Sequence, residues 1–205
     1  MPTITLKNTV YKNKLLLDFL DHSTKLSPFH NGSSLEIIDE HFMSNRDLHI
    51  DQRKFLVNAL VSQYNSIGVE TPSGVHQLEK KGVYTVTTGH QLCFMGGPQF
   101  FIHKIISTIK SCQLLKEKYS QNDFIPVFWM ASEDHDFQEI SHTTIFGKKF
   151  SIEDTHDTIA VGRLKSSVFQ SLHEEVKEFF KSDEKFKILE DLFEKAMSFD
   201  SWSKT

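Results

Sequence analysis

The sequence predicts an α/β fold in which a parallel sheet follows a helical N-terminal segment. Two segments rich in apolar and β-forming residues, 83–88 and 124–131, indicate strands. Between them, apolar residues recur at helical spacing from Phe101 to Cys112. Strand, helix and strand over this length form a βαβ unit, and a right-handed crossover makes its two strands parallel. We expect residues 1–80 to form the helical segment and residues 81–205 the α/β core.

The helical signals of the first eighty residues come in two sets. Apolar residues with helical spacing are Leu35, Ile38 and Phe42, followed by Phe55, Leu56, Ala59, Leu60, Tyr64 and Ile67. Gly68 is well placed to end the second helix. Turn-forming residues at 27–32 and 71–74 are expected to break the chain on either side.

The central segments define the βαβ unit more closely. Pro98 suits the first turn of the crossover helix, where its missing N–H costs little, and the helix should run to about Tyr119. The second strand reads as buried on both faces, with Phe128 and Trp129 in the core. Pro126 cannot donate a backbone hydrogen bond, so either it lies at the start of this strand or the strand lies at an edge of the sheet.

The last third of the chain gives weaker signals. Residues 145–152 are typical of one more strand, interrupted at 147–149. Two helices are predicted by the sets Val168, Phe169, Leu172, Val176, Phe179 and Phe180, and Phe186, Leu189, Leu192, Phe193 and Met197.

Composition excludes several classes of protein. A hydrophobic share of 39% allows a buried core, and a net charge of −4 gives no electrostatic reason to expect nucleic acid as a partner. The two cysteines, Cys93 and Cys112, form no disulfide framework, which favours a reducing compartment. No apolar run approaches the ~20 residues that cross a bilayer. We therefore expect a cytoplasmic protein with no membrane segment.

The densest polar cluster follows the second strand directly. Glu133, Asp134, His135 and Asp136 are consecutive ionisable residues. Anionic neighbours raise one another's pKa and that of a nearby histidine, which suits acid–base chemistry or the capture of an amine. The same residue types suit a divalent metal, and a solvated acidic loop is the simplest alternative.

A second cluster follows the first strand. Its members are Thr88, Gly89, His90, Gln91, Gly96 and Gly97. A glycine-containing turn before a helix exposes backbone N–H groups that bind phosphate or carboxylate, and His90 could donate to that anion or shuttle a proton. The pattern is neither a Walker motif nor a complete dinucleotide fingerprint, and the glycines could serve backbone geometry alone.

Both clusters lie at the carboxyl ends of strands that the βαβ unit makes parallel. Open α/β sheets bind ligands outside these ends, so the two clusters are candidate halves of one site. His103 and Lys104, in the first turns of the crossover helix, could reach the same place. Arg163 is a further candidate for holding an anion, and Cys93 reads as a small buried residue more readily than as a nucleophile.

Four segments together resemble a known family. They are 86–91, 97–98, 126–140 and 161–163, that is VTTGHQ, GP, PVFWMASEDHDFQEI and VGR. This combination resembles the bacillithiol-biosynthesis cysteine-adding enzymes. The similarity is strongest from 83 to 140 and begins weakly near Phe29. His90 stands where many members of the family have glutamine.

The resemblance implies a Rossmann-like core, related in shape to nucleotidyl transferases and class I aminoacyl-tRNA synthetases. The implied reaction adds cysteine to the amine of glucosaminyl-malate, with ATP and Mg²⁺ as the candidate energy source. Thr88–Gln91 would then cradle phosphate or carboxylate oxygens, while Glu133–Asp136 would orient the amine and take its proton. Family members are much longer and form homodimers through a coiled coil, so the resemblance places this chain in the N-terminal part.

Two other functions stay open from the residues. A metal-dependent hydrolase would use a set of acidic and histidine ligands, Glu133, Asp134, His135, Asp136 and His142. Alternatively, the chain is an inactive or binding fragment. A sheet cut short would then expose a strand edge and apolar surface that need a partner segment.

Overall fold

A computed structural model of the protein describes residues 13–29, 38–153, 158–181, 183–184 and 186–204. The helices of this part are α1 (Lys14–Leu20), α2 (Glu40–Ser44), α3 (Ile50–Ser66), α4 (Ser73–Gln77), α5 (Gln99–Lys118), α6 (Phe137–Ile140), α7 (Gln170–Phe180) and α8 (Phe186–Met197). The strands are β1 (Val83–His90), β2 (Asp123–Met130), β3 (His142–Ile145) and β4 (Lys148–Ser151). Among these residues, no helix has the length and apolar character needed to cross a membrane.

The centre of the molecule is the predicted βαβ unit. β1 and β2 pair in parallel, in a register that runs from Val83 opposite Asp123 to His90 opposite Met130. α5 connects the two strands and packs against both. Pro98 is the N-cap of α5 and not part of its first turn, and Tyr119 is the C-cap. The parallel arrangement predicted from the sequence is therefore confirmed.

Of the two predicted N-terminal helices, α3 is close to the prediction and α2 differs from it. α3 starts with a capping box at His49 and ends before Gly68, whose φ of +67° fits a helix stop. Leu35 lies outside the described residues. The prediction that Ile38 is helical is wrong, because the Asp39 side chain accepts from the Phe42 N–H and starts α2 at Glu40.

The predicted break at 71–74 is also the start of a helix. Pro72 is the N-cap of α4, so Ser73 and Gly74 are helical. The turn-forming residues correctly predicted that the preceding element ends here. A proline also favours the start of a helix directly after it, as Pro72 does for α4. One apolar cluster joins α3, α4 and the sheet; its members are Val57, Val75, Leu78 and Val83, packed against Leu56, Leu60, Val61, Tyr64 and Ile125.

Arg53 ties this helical layer to the strand. Its side chain is buried, and Nη1 donates to the carbonyl oxygens of Leu78 at 2.9 Å and Val83 at 3.0 Å. Nε donates to the Leu48 carbonyl, and Nη2 pairs with the Asp47 carboxylate. A buried guanidinium is tolerated here because several acceptors and one carboxylate surround it.

A second, larger core lies on the C-terminal side. Its buried members are Phe94, Phe137, Ile140, Phe150, Val161, Leu164, Phe169, Leu172, Val176, Phe186 and Trp202. The prediction of one interrupted strand over 145–152 is wrong. β3 and β4 form an antiparallel hairpin, and its turn residues Phe146 and Gly147 both have positive φ, as a tight hairpin turn requires. Val168 and Phe169 belong to a 3₁₀ turn that precedes α7.

The prediction that β2 is buried on both faces is wrong. Trp129 is 58% exposed and Met130 is 49% exposed. On the same βαβ unit, Ile102, Ile106 and Ile109 of α5 are also exposed. Within the described residues the sheet has only the two strands β1 and β2, so each strand is an edge. The described residues cover these apolar side chains only in part, so the apolar run does not form a core strand.

Replacing Arg53 tests the link between the helices and β1. Arg53→Met should lower the free energy of unfolding by about 3 kcal/mol, because it leaves the Asp47 carboxylate and two buried carbonyls without their partner. Lys54→Met, an exposed cation one position along α3, is the control and should change it by less than about 0.5 kcal/mol. Urea unfolding measures both. Equal losses in the two variants would contradict the role given to Arg53.

Candidate functional site

The two polar clusters meet at the carboxyl edge of the sheet. His90 and Met130 are paired, and the Ala131 N–H donates to the His90 carbonyl at 3.2 Å. β1 extends two residues beyond the predicted 83–88, so Gly89 and His90 are strand residues like Thr88, and Gln91 is the first residue after the strand. The strand continues because each of these residues finds a partner on β2.

Gly89 is required by the packing of the two strands. A Cβ at this position would lie 2.8 Å from the Trp129 carbonyl oxygen and 3.0 Å from the Trp129 Cβ. This supports the geometric alternative for the glycine, since no residue with a side chain fits there without moving β2. The Gly89 carbonyl accepts from Lys104 Nζ at 3.0 Å.

The loop after the strand contains two further glycines with positive φ. Gly96 has a φ of +76° and open space around its Cα, while Gly97 has a φ of +62°. A Cβ on Gly97 would lie 2.6 Å from the Cys93 Cβ. Both glycines therefore serve the tight path of the chain from β1 into α5, and their predicted role in anion binding stays a prediction.

Asp134 of the second cluster is held by backbone donors. The N–H groups of His135 and Asp136 donate to Asp134 Oδ1 at 2.6 and 3.1 Å. These two groups contribute most to lowering the pKa of Asp134, and the buried Gln91 side chain of the first cluster makes a smaller contribution in the same direction. The sequence predicted raised pKa values in this cluster. For Asp134 that is wrong, because hydrogen bonds to the charged form outweigh the opposing effect of desolvation.

The other members of the acidic cluster are exposed at the same edge. Trp129 Nε1 donates to Glu133 at 3.1 Å. Asp136 is the N-cap of α6 and accepts from the Glu139 N–H at 3.1 Å, so one of its oxygens has a structural task. His135 lies between them with its ring exposed. Exposed carboxylates flanking an imidazole can attract a cationic amine and accept its proton.

His90 lies beneath this edge and not at its surface. Its ring is buried between Phe100 and Phe101, with centroid distances of 5.0 and 5.7 Å. Nδ1 is 3.5 Å from Cys93 Sγ, and Nε2 is 3.9 Å from Glu139 Oε1. Sequence reasoning did not single out Glu139, whose position is set by the α6 turn. The catalytic role predicted for His90 stays a prediction, and its contacts place it in a supporting layer.

Cys93 is half-buried beside this histidine. Burial, with a smaller contribution from the negative charge of Glu139, raises the pKa of the thiol to about 11. A thiol with this pKa is protonated at neutral pH and is a poor nucleophile. The structure thus favours the reading of Cys93 as a packing residue.

Lys104 reaches the site, as its bond to Gly89 shows, and its Nζ also lies 5.5 Å from the Phe100 ring centroid. His103 is exposed on α5. The ligand-binding roles predicted for both residues stay predictions.

Backbone hydrogen bonds from the segment that contains Arg163 hold the acidic cluster in place. The Val161 N–H donates to the Asp134 carbonyl at 2.7 Å, and the Gly162 N–H donates to the Ser132 carbonyl at 2.9 Å. A Cβ on Gly162 would lie 2.5 Å from the Ser132 Cβ, so the contact needs glycine. Arg163 is exposed next to it. The sequence selected Arg163, but it gave no sign that its backbone neighbours hold the cluster in place.

Trp202 is a second residue that sequence reasoning missed. Its indole Nε1 donates to the Leu92 carbonyl at 2.7 Å, and its ring stacks on Phe169 with centroids 3.8 Å apart. Trp202 therefore fixes the loop after β1 from 110 residues away in sequence. A single tryptophan near the end of a chain has no local pattern that predicts this contact.

The structure does not favour the hydrolase alternative. Within the described ranges, no three histidine, cysteine, aspartate or glutamate side chains are placed to hold one metal ion. His142 instead contacts the Gln138 carbonyl through Nδ1 at 3.0 Å. A protein metal site needs about three converging ligands, and consecutive residues in a turn do not converge.

Comparison with known proteins identifies the family. Residues 1–205 match the sequence model described as bacillithiol biosynthesis BshC, N-terminal Rossmann-like domain. The chain belongs to this family. The Rossmann-like α/β fold expected from the resemblance is thereby confirmed, together with the parallel βαβ unit.

Curated relatives of the BshC family carry the name "Putative cysteine ligase BshC". The protein of Flavobacterium psychrophilum is 39% identical over 81% of this chain and 32% of its own length. That of Christiangramia forsetii is 39% identical over the same shares, and that of Cytophaga hutchinsonii is 36% identical over 85% of this chain and 34% of its own. The chain thus spans about a third of the length of these relatives.

The packing of Gly89 can be tested by adding a single methyl group. Gly89→Ala should lower the free energy of unfolding by about 2 kcal/mol, because the methyl meets the backbone of β2. Gly74→Ala is the matched control, since its Cβ meets only side-chain methyl groups of Ile125, the nearer at 3.2 Å, and alanine favours the helix. Thermal unfolding measures both. A Gly89→Ala variant as stable as Gly74→Ala would contradict the close contact.

The lowered pKa of Asp134 predicts a pH-dependent contribution to stability. A group whose folded pKa lies below its ordinary value of 3.8 stabilises the fold above that value, and this effect is lost as the pH falls through the folded pKa. Asp134→Asn should therefore be less stable than the unmodified chain at pH 7, with the difference shrinking below about pH 4. Urea unfolding at pH 7 and pH 3 measures it. A difference that grows in acid would contradict the assignment.

Proposed function

We propose that this chain forms the N-terminal, site-bearing part of a ligase that joins cysteine to the amine of glucosaminyl-malate, giving bacillithiol. The observation that carries the proposal is the parallel pairing of β1 with β2, which brings the two clusters to the same carboxyl edge of the sheet. Membership of the BshC family and the names of its relatives supply the substrate class.

The acidic cluster is proposed to bind and deprotonate the acceptor amine. Glu133 and Asp136 present negative charge to the ammonium form, and the exposed imidazole of His135 accepts the proton that amide formation releases. Asp134 is unsuited to this last step, since its lowered pKa makes it a weak base. Its carboxylate holds the turn by accepting from the N–H groups of His135 and Asp136.

ATP is the proposed co-substrate, with Mg²⁺ carried on its phosphates. The exposed carboxylates at this edge are hard oxygen donors of the kind Mg²⁺ prefers, and Lys104 supplies a cation at the end of β1. ATP would activate the cysteine carboxylate, a carboxylate oxygen bonding to a phosphorus of ATP as one P–O bond of the triphosphate breaks and the rest of the triphosphate departs. The new bond joins the carboxyl carbon of cysteine to the amine nitrogen, and one carboxylate oxygen departs with the phosphate-containing group.

The other partners of the proposed enzyme are inferred from the family alone. Homodimerisation through a coiled coil and a cytoplasmic location stay predictions. The exposed apolar side chains of α5 and β2 fit a protein that buries them against further polypeptide, which is the observation behind the binding-fragment alternative.

The proposal is tested by following the product of cysteine and glucosaminyl-malate with ATP and Mg²⁺ by mass spectrometry. His135→Ala should lower the rate of product formation at least about 100-fold, because it removes the proton acceptor while leaving an exposed position unstrained. His142→Ala, at an exposed histidine that begins β3, should stay within about two-fold. Full activity in His135→Ala would contradict the assignment, and no product from the unmodified protein would overturn the proposed function.

A further inference from the structure

Trp129 presents an exposed indole at the carboxyl edge of the sheet. It is 58% exposed, although it is the last but one residue of β2 and pairs with Gly89. The indole Nε1 donates to Glu133 Oε1 at 3.1 Å, and this bond fixes the orientation of the ring. A tryptophan that is exposed and held in one orientation offers a rigid, flat apolar face for a ligand.

Gly89 provides the space in which this indole lies. The point that a Gly89 Cβ would occupy is 3.0 Å from the Trp129 Cβ and 3.5 Å from the Trp129 Cδ1. The indole therefore lies beside bare backbone, and a side chain on Gly89 would displace it. The glycine that lets the two strands approach each other thus also sets the position of the exposed ring.

The exposed indole lies on the face of the sheet opposite α5. Phe128, the preceding residue, packs on Phe101 of α5 with ring centroids 5.0 Å apart, and successive residues of a strand point to opposite faces. Residues paired in register share a face, so Thr85 and Thr87 of β1 lie on the same face as Trp129, and both are exposed. The surroundings of the indole are therefore polar and differ from the exposed isoleucines of α5.

The charges around the indole decide which kind of ring stacks on it. The exposed carboxylate of Glu133, at the edge of the indole, attracts a cation and disfavours an anion. The electron-rich face of an indole attracts cations and the C–H groups of a saturated ring. Threonine hydroxyl groups on the same face suit a ligand with hydroxyl groups of its own. A hydroxylated saturated ring with a primary ammonium group, that is, an amino sugar, has all of these properties.

We infer that Trp129 binds the amino-sugar ring of the acceptor, with the ring stacked on the indole and its amine directed to Glu133. The inference rests on the proposed function, which supplies an amino sugar as the acceptor. Lys104, whose Nζ is held at the Gly89 carbonyl, provides a cation for an acidic substituent of the same sugar. The residues proposed to take the proton of the amine lie in the turn that follows β2, so a stacked ring brings its amine to them.

Fluorescence quenching tests the stacking. The chain has two tryptophans and Trp202 is buried, so quenching by acrylamide reports mainly on Trp129. The probes for the 205-residue chain are methyl glucosaminide and methyl glucoside, in which a hydroxyl group replaces the amine. Methyl glucosaminide should protect Trp129 from acrylamide and bind at least about ten-fold more tightly than methyl glucoside, because only its ammonium group pairs with Glu133.

Variants separate the contact with the ring from the contact with the charge. Trp129→Leu removes the stacking surface and should weaken both sugars at least about ten-fold by calorimetry, whereas Trp129→Phe keeps an aromatic ring and should stay within about three-fold. Glu133→Gln removes only the charge and should abolish the difference between the two sugars. Phe146→Leu, at an aromatic residue that is 89% exposed, is the control and should change neither affinity. Circular dichroism checks that every variant keeps the fold.

Three results would overturn the inference. The first is an equal affinity of the unmodified chain and Trp129→Leu for methyl glucosaminide. The second is that neither sugar protects Trp129 from acrylamide. The third is that ATP protects Trp129 and methyl glucosaminide does not, which would place the adenine ring, and not the sugar, on the indole.

The ligation assay separates this inference from the proposed function. Trp129→Leu should raise the KM for glucosaminyl-malate at least about ten-fold and leave kcat within about three-fold, because stacking stabilises the bound acceptor and the transition state alike. Product formation with an unchanged KM in this variant would sustain the ligase and overturn the role of Trp129. Binding of methyl glucosaminide that depends on Trp129 and Glu133, with no product from the unmodified chain, would sustain the stacking surface and overturn the ligase.

Discussion

The parallel pairing of β1 with β2 is the constraint on which the rest of the site depends. Because the register ends with His90 opposite Met130, the residues that follow each strand emerge at one edge and lie within hydrogen-bonding reach. An antiparallel pairing would send them to opposite ends of the sheet. The crossover through α5 enforces the parallel sense, and Gly89 allows the strands to approach closely where the site begins.

Several long-range contacts then hold the edge in one arrangement. The Val161–Gly162 backbone fixes the carbonyls of Ser132 and Asp134, while Trp202 fixes the loop that follows Gln91. Both sets of contacts come from residues of the C-terminal core, which packs around Phe94. The exposed carboxylates and His135 are therefore presented by a rigid support, which a positioned acid–base group needs.

Local sequence patterns were sufficient to predict the elements that have a clear apolar periodicity or a clear stop residue at their end. The βαβ unit and the stop of α3 at Gly68 followed from such patterns, as did the meeting of the two clusters. Trp129 shows where the reasoning failed: an apolar residue in a strand looks buried, but burial depends on what covers the strand. The prediction of a raised pKa for Asp134 failed for a related reason. Its pKa is set by backbone N–H groups whose direction depends on the turn, and charge counting along the sequence does not include them.

Gln91 and Asp134 are the points at which the two halves of the edge influence each other. Gln91 is buried directly after β1, and its side chain contributes to the lowered pKa of Asp134. The backbone N–H groups that keep Asp134 ionised come from His135 and Asp136. The turn that presents the exposed imidazole of His135 is thus stabilised by its own carboxylate, and that stabilisation depends on Asp134 staying ionised.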